Sequence, residues 1–485
     1  MKNHLSILAM LLMLLMAESC SSDNIIPNES AASDPTSDGD TVMVDWDLRV
    51  SDNNRFLQYT DGRPFFWLGD TGWLLPERLD QGEADGYLNR CAQNGYNVVQ
   101  VQTINGVPAL NIYGQRSNNI DRPWDFSEFQ GTSSSTYSYW DHMDYIIQTA
   151  AKYNIYIAMD CIWGGLVKSG LIDVEGAKAY GTFLAKRYKN VPNIVWMIGG
   201  DIQGDVKPEV WTALAETIKS IDHRHLMTYH PRGRYTSAHW WSGADWIDFH
   251  MYQSGHRKYG QRMGDVDYPI PDNTEEDCWM YVDSTWTYKP IKPVLDGEPS
   301  YEDIPKGLHD PNEERWQAWD VRRYAYWDVF GGAFGHTYGH NSIMQMLKPG
   351  YESAYGTDCK PWYEAQRDSG YTEMKYLKQL MLKLPFFTRV PDQSIIYKDN
   401  GTQYNRLIAT RGDDYLLVYD YTRKPMNVDL NKISGTEKNL WLMNPQNGEL
   451  TYLGKKSGKV LVEVPDTLDD AVLIAIDASK TYLLP

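Results

Sequence analysis

The segment "NIVWMIGGDIQGD" (193–205) decides how the chain is read. Ile194, Val195, Trp196, Met197 and Ile198 follow one another without alternation, the pattern of a strand buried on both faces. The run breaks at Gly199-Gly200 and delivers a carboxylate, Asp201. Both-face burial implies a parallel sheet covered by helices, and an acid presented through two glycines implies chemistry at the strand's end.

The flanking sequence repeats this unit. Strand-like runs occur at 64–69, 96–102, 155–160, 226–231, 246–252, 292–299 and 333–339. Helical spacing lies between several of them, for example Met143, Ile146, Ile147 and Ala150, or Val210, Leu214 and Ile218. Residues 175–189 and 312–330 also read as helical. With the central segment this makes eight strands in βα alternation, which a closed (β/α)8 TIM barrel over 46–385 fits better than a doubly wound open sheet. After about residue 385 the character changes to short β-rich runs such as "LLVYDY" (416–421) and "AVLIAI" (471–476), separated by turn signals. Residues 386–485 therefore read as a small C-terminal β-sandwich domain, making the whole chain an α/β barrel followed by that domain.

A barrel concentrates chemistry at the C-terminal ends of its strands. Those ends carry Asp70, Gln102, Asp160, Asp201, His230, His250 with Tyr252, Glu298, and His336 with Tyr338. Any one of them could merely cap the following helix; a full row of polar ends points to a site. Asp201 and Glu298 stand out, because both are reached through glycine, in "IGGD" and "LDGEP". Glycine lets the backbone bend and lets another group approach closely. The two acids lie on the fourth and seventh strands, facing each other across the barrel mouth. Two carboxylates flanking one bond are what glycoside hydrolysis requires: one protonates the leaving oxygen, and the other attacks the anomeric carbon or activates water. Trp73 and Trp163 are either stacking platforms for sugar rings or core residues.

Bulk properties narrow the partners. The formal net charge of −18 argues against a nucleic-acid partner, whose phosphates it would repel. The 18 Trp and 34 Tyr point weakly toward carbohydrate. No His/Cys/Asp cluster has metal-ligand spacing, so neither a metal nor a cofactor is expected. "TEEDCWMYVD" (274–283) reads as a solvated helix face. Cys91, Cys161, Cys278 and Cys359 are widely spaced and read as free thiols.

The N-terminus has a basic start at Lys2, an apolar run from Leu5 to Ala17, and Cys20 followed by "SSDN". The run is too short to span a bilayer and reads as an export signal. It resembles a bacterial lipoprotein signal over 1–20, with Glu18 departing from the small residue usual there and leaving ordinary cleavage open. Residues 21–45, rich in Ser, Asp, Asn and Pro, read as a disordered tether. The expected location is the periplasm or outer membrane of a Gram-negative bacterium, with membrane contact only through a lipid anchor.

Three motifs carry a family resemblance. "RPFFWLGDTGW" (63–73), "NIVWMIGGD" (193–201) and "KPVLDGEPSYE" (292–302) are similar to the apiosidase-like glycoside hydrolases of family 140. "LWLMNPQNGEL" (440–450) resembles a module named for collagen binding, although nothing in it points to collagen. The resemblance implies a retaining hydrolase with Asp201 as acid/base and Glu298 as nucleophile. Most of the wider clan carries Asn-Glu where this chain carries Gly200-Asp201. It also implies a pectic substrate, apiose linked to galacturonic acid in rhamnogalacturonan II, and residues of the strand-six type (His250, Tyr252) that orient the nucleophile. Cations in "HPRGRY" (230–235) and "SGHRKYGQR" (254–262) follow successive strand ends. Some of Arg232, Arg234, Arg257, Lys258 and Arg262 either hold a uronate or are solvated loop charges. Two other readings stay open: another exo-furanosidase, such as an arabinofuranosidase, or a non-catalytic surface glycan-binding lipoprotein.

Overall fold

The computed structural model describes residues 46–129, 137–261, 276–308, 310–356 and 358–485. The export signal and tether (1–45), Arg262 and the first residues of the acidic stretch lie outside the described residues.

Eight strands build the barrel: β1 (Trp67–Thr71), β2 (Val98–Gln102), β3 (Tyr156–Asp160), β4 (Ile194–Ile202), β5 (Met227–Pro231), β6 (His250–Gln253), β7 (Val294–Asp296) and β8 (Gly335–Tyr338). They pair in parallel from β5 back through β1 to β8, β7 and β6. Between β5 and β6, Thr228 Oγ1 donates to the Phe249 carbonyl at 2.8 Å, and the Asp248 N–H donates to the Met227 carbonyl at 2.9 Å. These bonds close the ring without a regular ladder.

Helices follow the strands in turn: α1 (Gln81–Gln93), α2 (Tyr139–Lys152), α3 (Val174–Tyr188), α4 (Pro208–Ile221), α5 (Ala238–Trp241), α6 (Trp279–Thr285), α7 (Ala318–Gly331) and α8 (Ser369–Lys383). Local chemistry starts several of them. Reciprocal capping boxes open α1 (Asp80 with Glu83) and α2 (Ser138 with Asp141), each satisfying two otherwise orphaned N–H groups. Val210, Leu214 and Ile218 are buried on α4, at the spacing the sequence predicts. Ile194 to Ile198 are buried throughout, as expected for a strand with barrel core on one side and helices on the other.

Some boundaries move. Pro64–Phe65 belongs to a separate three-stranded antiparallel sheet with Leu48–Val50 and Leu57–Tyr59, so β1 begins only at Trp67. β6 begins at His250 rather than at 246, and α7 at Ala318 rather than at 312. There the Gln317 N–H donates to Asp320 at 3.0 Å and sets the helix start.

The C-terminal strands are β9 (Ile408–Arg411), β10 (Tyr415–Asp420), β11 (Met426–Asp429), β12 (Lys438–Met443), β13 (Leu450–Lys456), β14 (Lys459–Val462) and β15 (Ala471–Asp477). A six-stranded antiparallel sheet, in the order Val390–Pro391, β9, β10, β15, β12, β13, faces the two-stranded pair β11–β14. Alternate residues of the large sheet serve two cores. Leu416, Val418 and Leu473 pack with Met426, Val428 and Val462 inside the sandwich. Leu417, Tyr419 and Ile474 join the barrel's own core, with Tyr419 stacked on Tyr326 of α7 at 4.6 Å. Polar bonds fix the same junction. Arg322 of α7 forks onto Asp470 at 2.8 and 2.9 Å, and the Tyr419 hydroxyl donates to Asp470 at 2.8 Å.

One core with a buried ion pair at its seam is expected to unfold as one cooperative unit. Asp470→Ala leaves the Arg322 charge with Glu373 alone and is expected to destabilise the folded chain by about 3 kcal/mol. Chemical denaturation followed by barrel and sandwich aromatics should give one transition, shifted in the variant. Two separate transitions, only one of them shifted, would refute the shared core.

Candidate active site

The end of β4 is a left-handed turn. Gly199, Gly200 and Asp201 have φ of 111°, 94° and 49°, and the β4–β5 register shifts between Gly199 and Ile202. Space forbids a side chain at either glycine as strongly as conformation does. A Cβ on Gly199 would overlap the His230 carbonyl oxygen, and one on Gly200 would lie 2.7 Å from the Trp163 ring and 2.8 Å from Asp160 Oδ2. The turn lifts Asp201 out of the strand into the cavity, where the Gly233 N–H reaches its Oδ1 at 3.4 Å.

Glu298 stands two residues past β7. Its N–H donates to Asp296 Oδ1 at 3.1 Å, and its carbonyl accepts from the Gly255 N–H at 3.0 Å. Gly297 is required here for close approach, since a Cβ would overlap the Met251 thioether. Two histidines grip the carboxylate: His256 Nε2 lies 2.9 Å from Oε1 and His230 Nε2 lies 3.2 Å from Oε2. The His256 contact is a well-aligned hydrogen bond. The His230 contact is a close but off-axis approach of Nε2, which leaves Oε2 without a hydrogen bond. His230 Nδ1 accepts from the Asp201 N–H at 3.3 Å, a bond that assigns the ring proton to Nε2, facing Glu298. His230 thus ties the two acids together.

The electrostatics separate them. Burial would raise the Glu298 pKa, but His230 and His256 overcome it and lower it to about 2. Burial and then repulsion from Glu298 raise Asp201 to about 6, against weaker opposition from His230 and the Gly233 N–H. Asp201 is crowded by protein yet open to solvent through the cavity. The burial contribution is therefore complete only once a bound molecule displaces that water. Divergent pKa values in a facing pair give one acid and one permanent anion.

Both acids line a cavity of about 490 Å³, together with Trp73, Gln102, Trp163 and Arg232 from the sequence-derived set. Trp73 and Trp163 stand edge-to-face at 5.5 Å, and Trp73 also packs on His230 at 5.3 Å. Arg234 and Arg257 line the cavity as well, whereas Lys258 turns to Glu313 at 2.5 Å.

The remaining candidates lie elsewhere, mostly because alternate strand residues face opposite sides. Asp70 sits inside β1 and accepts from the Tyr87 hydroxyl of α1 at 2.7 Å. Tyr252 donates to Asp328 of α7 at 2.7 Å, and His336 Nδ1 contacts the same carboxyl at 2.9 Å. Tyr338 donates to Glu302 at 2.5 Å. His250 contacts the Ser237 hydroxyl at 3.1 Å, and burial lowers its pKa to about 3, keeping it neutral. Asp160 is buried beneath Gly200, where burial raises its pKa to about 7. None of these six lines the cavity. Sequence reading missed Gln253, His256, Tyr301 and Tyr355, which do. For Gln253 the signal was present, since it neighbours Tyr252 on β6 and so faces the opposite side.

Comparison with known proteins agrees with this architecture. A solved structure described as a glycoside hydrolase matches with 57% identity and a TM-score of 0.88, over 91% of this chain and 100% of its own. A second, described as a glycoside hydrolase family 5 protein from Bacteroides vulgatus, matches with 54% identity and a TM-score of 0.88, over 91% and 98%. A third Bacteroides vulgatus structure, at 15% identity and a TM-score of 0.56 over 89% and 78%, shares the fold alone. No curated protein matches the sequence significantly. Fold and relatives together define a glycoside hydrolase. Residues 51–388 match the family model of the apiosidase-like catalytic domain, and residues 390–475 match one described as a collagen-binding domain of a collagenase. The chain belongs to the apiosidase-like family.

The β4 turn gives a direct test. Gly200→Ala combines a forced positive φ with the contacts to Trp163 and Asp160, and should cost about 1–3 kcal/mol of stability. Displacing Asp201 should cut kcat/KM about 100-fold. Gly62→Ala, at φ 88° with open space around it, should keep full activity. Equal kcat/KM in all three proteins would show that the turn does not place the acid.

Proposed function

We propose that this protein is a retaining glycosidase in which Glu298 is the nucleophile and Asp201 the general acid and base. The observation that carries the reading is the double histidine grip on Glu298, opposite an acid of raised pKa in one cavity. Glu298 Oε2 attacks the anomeric carbon as the glycosidic C–O bond breaks, and the Asp201 proton goes to the leaving oxygen. Asp201, now ionised, then takes a proton from water, whose oxygen displaces Glu298 from the sugar. His230 and His256 keep Glu298 ionised until attack and stabilise it again as it leaves.

For the sugar, family membership supports apiose, and the cavity supports an anionic neighbour. Arg78, Arg232, Arg234 and Arg257 all line it, in a protein whose net charge is −18. Such a concentration of guanidinium suits bidentate pairing with a carboxylate. The proposed substrate is apiose linked to galacturonic acid in rhamnogalacturonan II side chains. Carboxyl-reduced oligosaccharide should bind about tenfold more weakly than the uronate form, and Arg232→Ala should shrink that difference. Equal binding of the two oligosaccharides by the native protein would remove the uronate from the account.

The roles of the two acids separate kinetically. Activity needs Asp201 protonated and Glu298 ionised, so kcat/KM should fall as pH rises through about 6 and as it drops toward about 2. Asp201→Ala should retain the first step on an aryl glycoside, stall in the second, and be rescued by azide with retained configuration. On natural oligosaccharide it should lose roughly 10²–10⁴-fold. Retention of configuration in an azide-rescued Glu298→Ala would reverse the assignment.

A further inference from the structure

His256, the better aligned of the two groups on Glu298, is carried by an irregular loop, residues 254–261. Near its start the loop is tied to the barrel: the Gly255 N–H donates to the Glu298 carbonyl at 3.0 Å, and the His256 carbonyl accepts from the Gly307 N–H at 2.9 Å. Three residues further on, the backbone is tied to a buried carboxylate. The Tyr259 N–H donates to Glu276 Oε1 at 3.0 Å, and the Tyr259 hydroxyl donates to the neighbouring Asp277 at 2.7 Å.

Glu276 is not on the solvated face expected of the acidic stretch: it is 1% exposed, and it is held from two further directions. Arg323 of α7 donates to its Oε2 at 2.7 Å, and the hydroxyl of Tyr404, from the C-terminal domain, donates to its Oε1 at 2.8 Å. The Arg323 guanidinium lies 4.7 Å from the Tyr404 ring centre and 5.1 Å from that of Tyr421, both in the C-terminal domain. Tyr404 also packs edge-to-face on Tyr259 at 5.1 Å. A buried carboxylate is costly unless each oxygen is satisfied. Here the donors come from the histidine loop, the barrel helix and the C-terminal domain, so the position of each constrains the others.

We propose that the C-terminal domain is part of the catalytic scaffold: through Tyr404 and Glu276 it positions the loop that holds His256 against Glu298. Glu276 is a positioning residue, acting on the reaction only through His256. The inference rests on the reading of Glu298 as nucleophile. It gives the domain a role that binding to a matrix or a glycan does not require. Neither Tyr404 nor Glu276 lines the cavity, so their loss should act on kcat rather than on substrate affinity.

The test uses the full chain and Tyr404→Phe, which removes one hydroxyl and leaves the ring packing. The expected result is a kcat about fivefold lower, with KM within twofold of the native value. A second readout needs no substrate: the His256 Nε2–H proton resonance, assigned by its loss in His256→Gln, should exchange with solvent about tenfold faster in Tyr404→Phe. Glu276→Gln should move both readouts further, and Tyr404→Phe decides the matter if that variant does not fold. Native exchange and native kcat in folded Tyr404→Phe would overturn the proposal. If the native protein released no sugar from any pectic oligosaccharide, the functional reading would fail, while the exchange measurement would still decide the positioning.

Discussion

Everything at the barrel mouth depends on three consecutive residues with left-handed backbone. A strand buried on both faces cannot expose an acid by continuing, because its next side chains would enter the core or the helix layer. Gly199, Gly200 and Asp201 solve this by leaving strand geometry together, each at positive φ. The solution constrains the neighbours as well. Trp163, Asp160 and the His230 carbonyl fill the space that a Cβ would need, and the Asp201 N–H fixes the His230 ring. Asp201 itself adopts a conformation that glycine tolerates more easily, a strain of the kind that accumulates at functional sites.

His230 then makes the two acids interdependent. Its Nδ1 answers to the backbone of one and its Nε2 to the carboxylate of the other. Glu298 is driven toward permanent ionisation by two histidines, and burial together with that charge holds the proton on Asp201. One cluster thus supplies both the anion and the acid without a separate device for each.

Much of this was legible in the sequence, for a physical reason. Unalternated apolar runs, helical spacing and glycine before an acid are local signals, and they located the eight strands, Asp201 and Glu298. Side-chain direction is set by strand register, which depends on where pairing starts. Asp70 reads as the residue just past a strand at 64–69, but the strand continues through Thr71, and the aspartate, inside it, turns to Tyr87. Tyr252 and His336 meet on Asp328, a partner from α7 that no local pattern announces. His256 sits on irregular backbone tied to Glu276 and, through it, to the C-terminal domain far away in sequence, and so left no periodic trace.

The central claim, that Glu298 attacks carbon while Asp201 manages the proton, is tested most directly by the configuration of the first product. Proton NMR during hydrolysis, recorded before the released sugar mutarotates, should show the anomeric configuration of the substrate. Two displacements at one carbon require that result. Net inversion would mean that water attacks directly and that Glu298 is not the nucleophile.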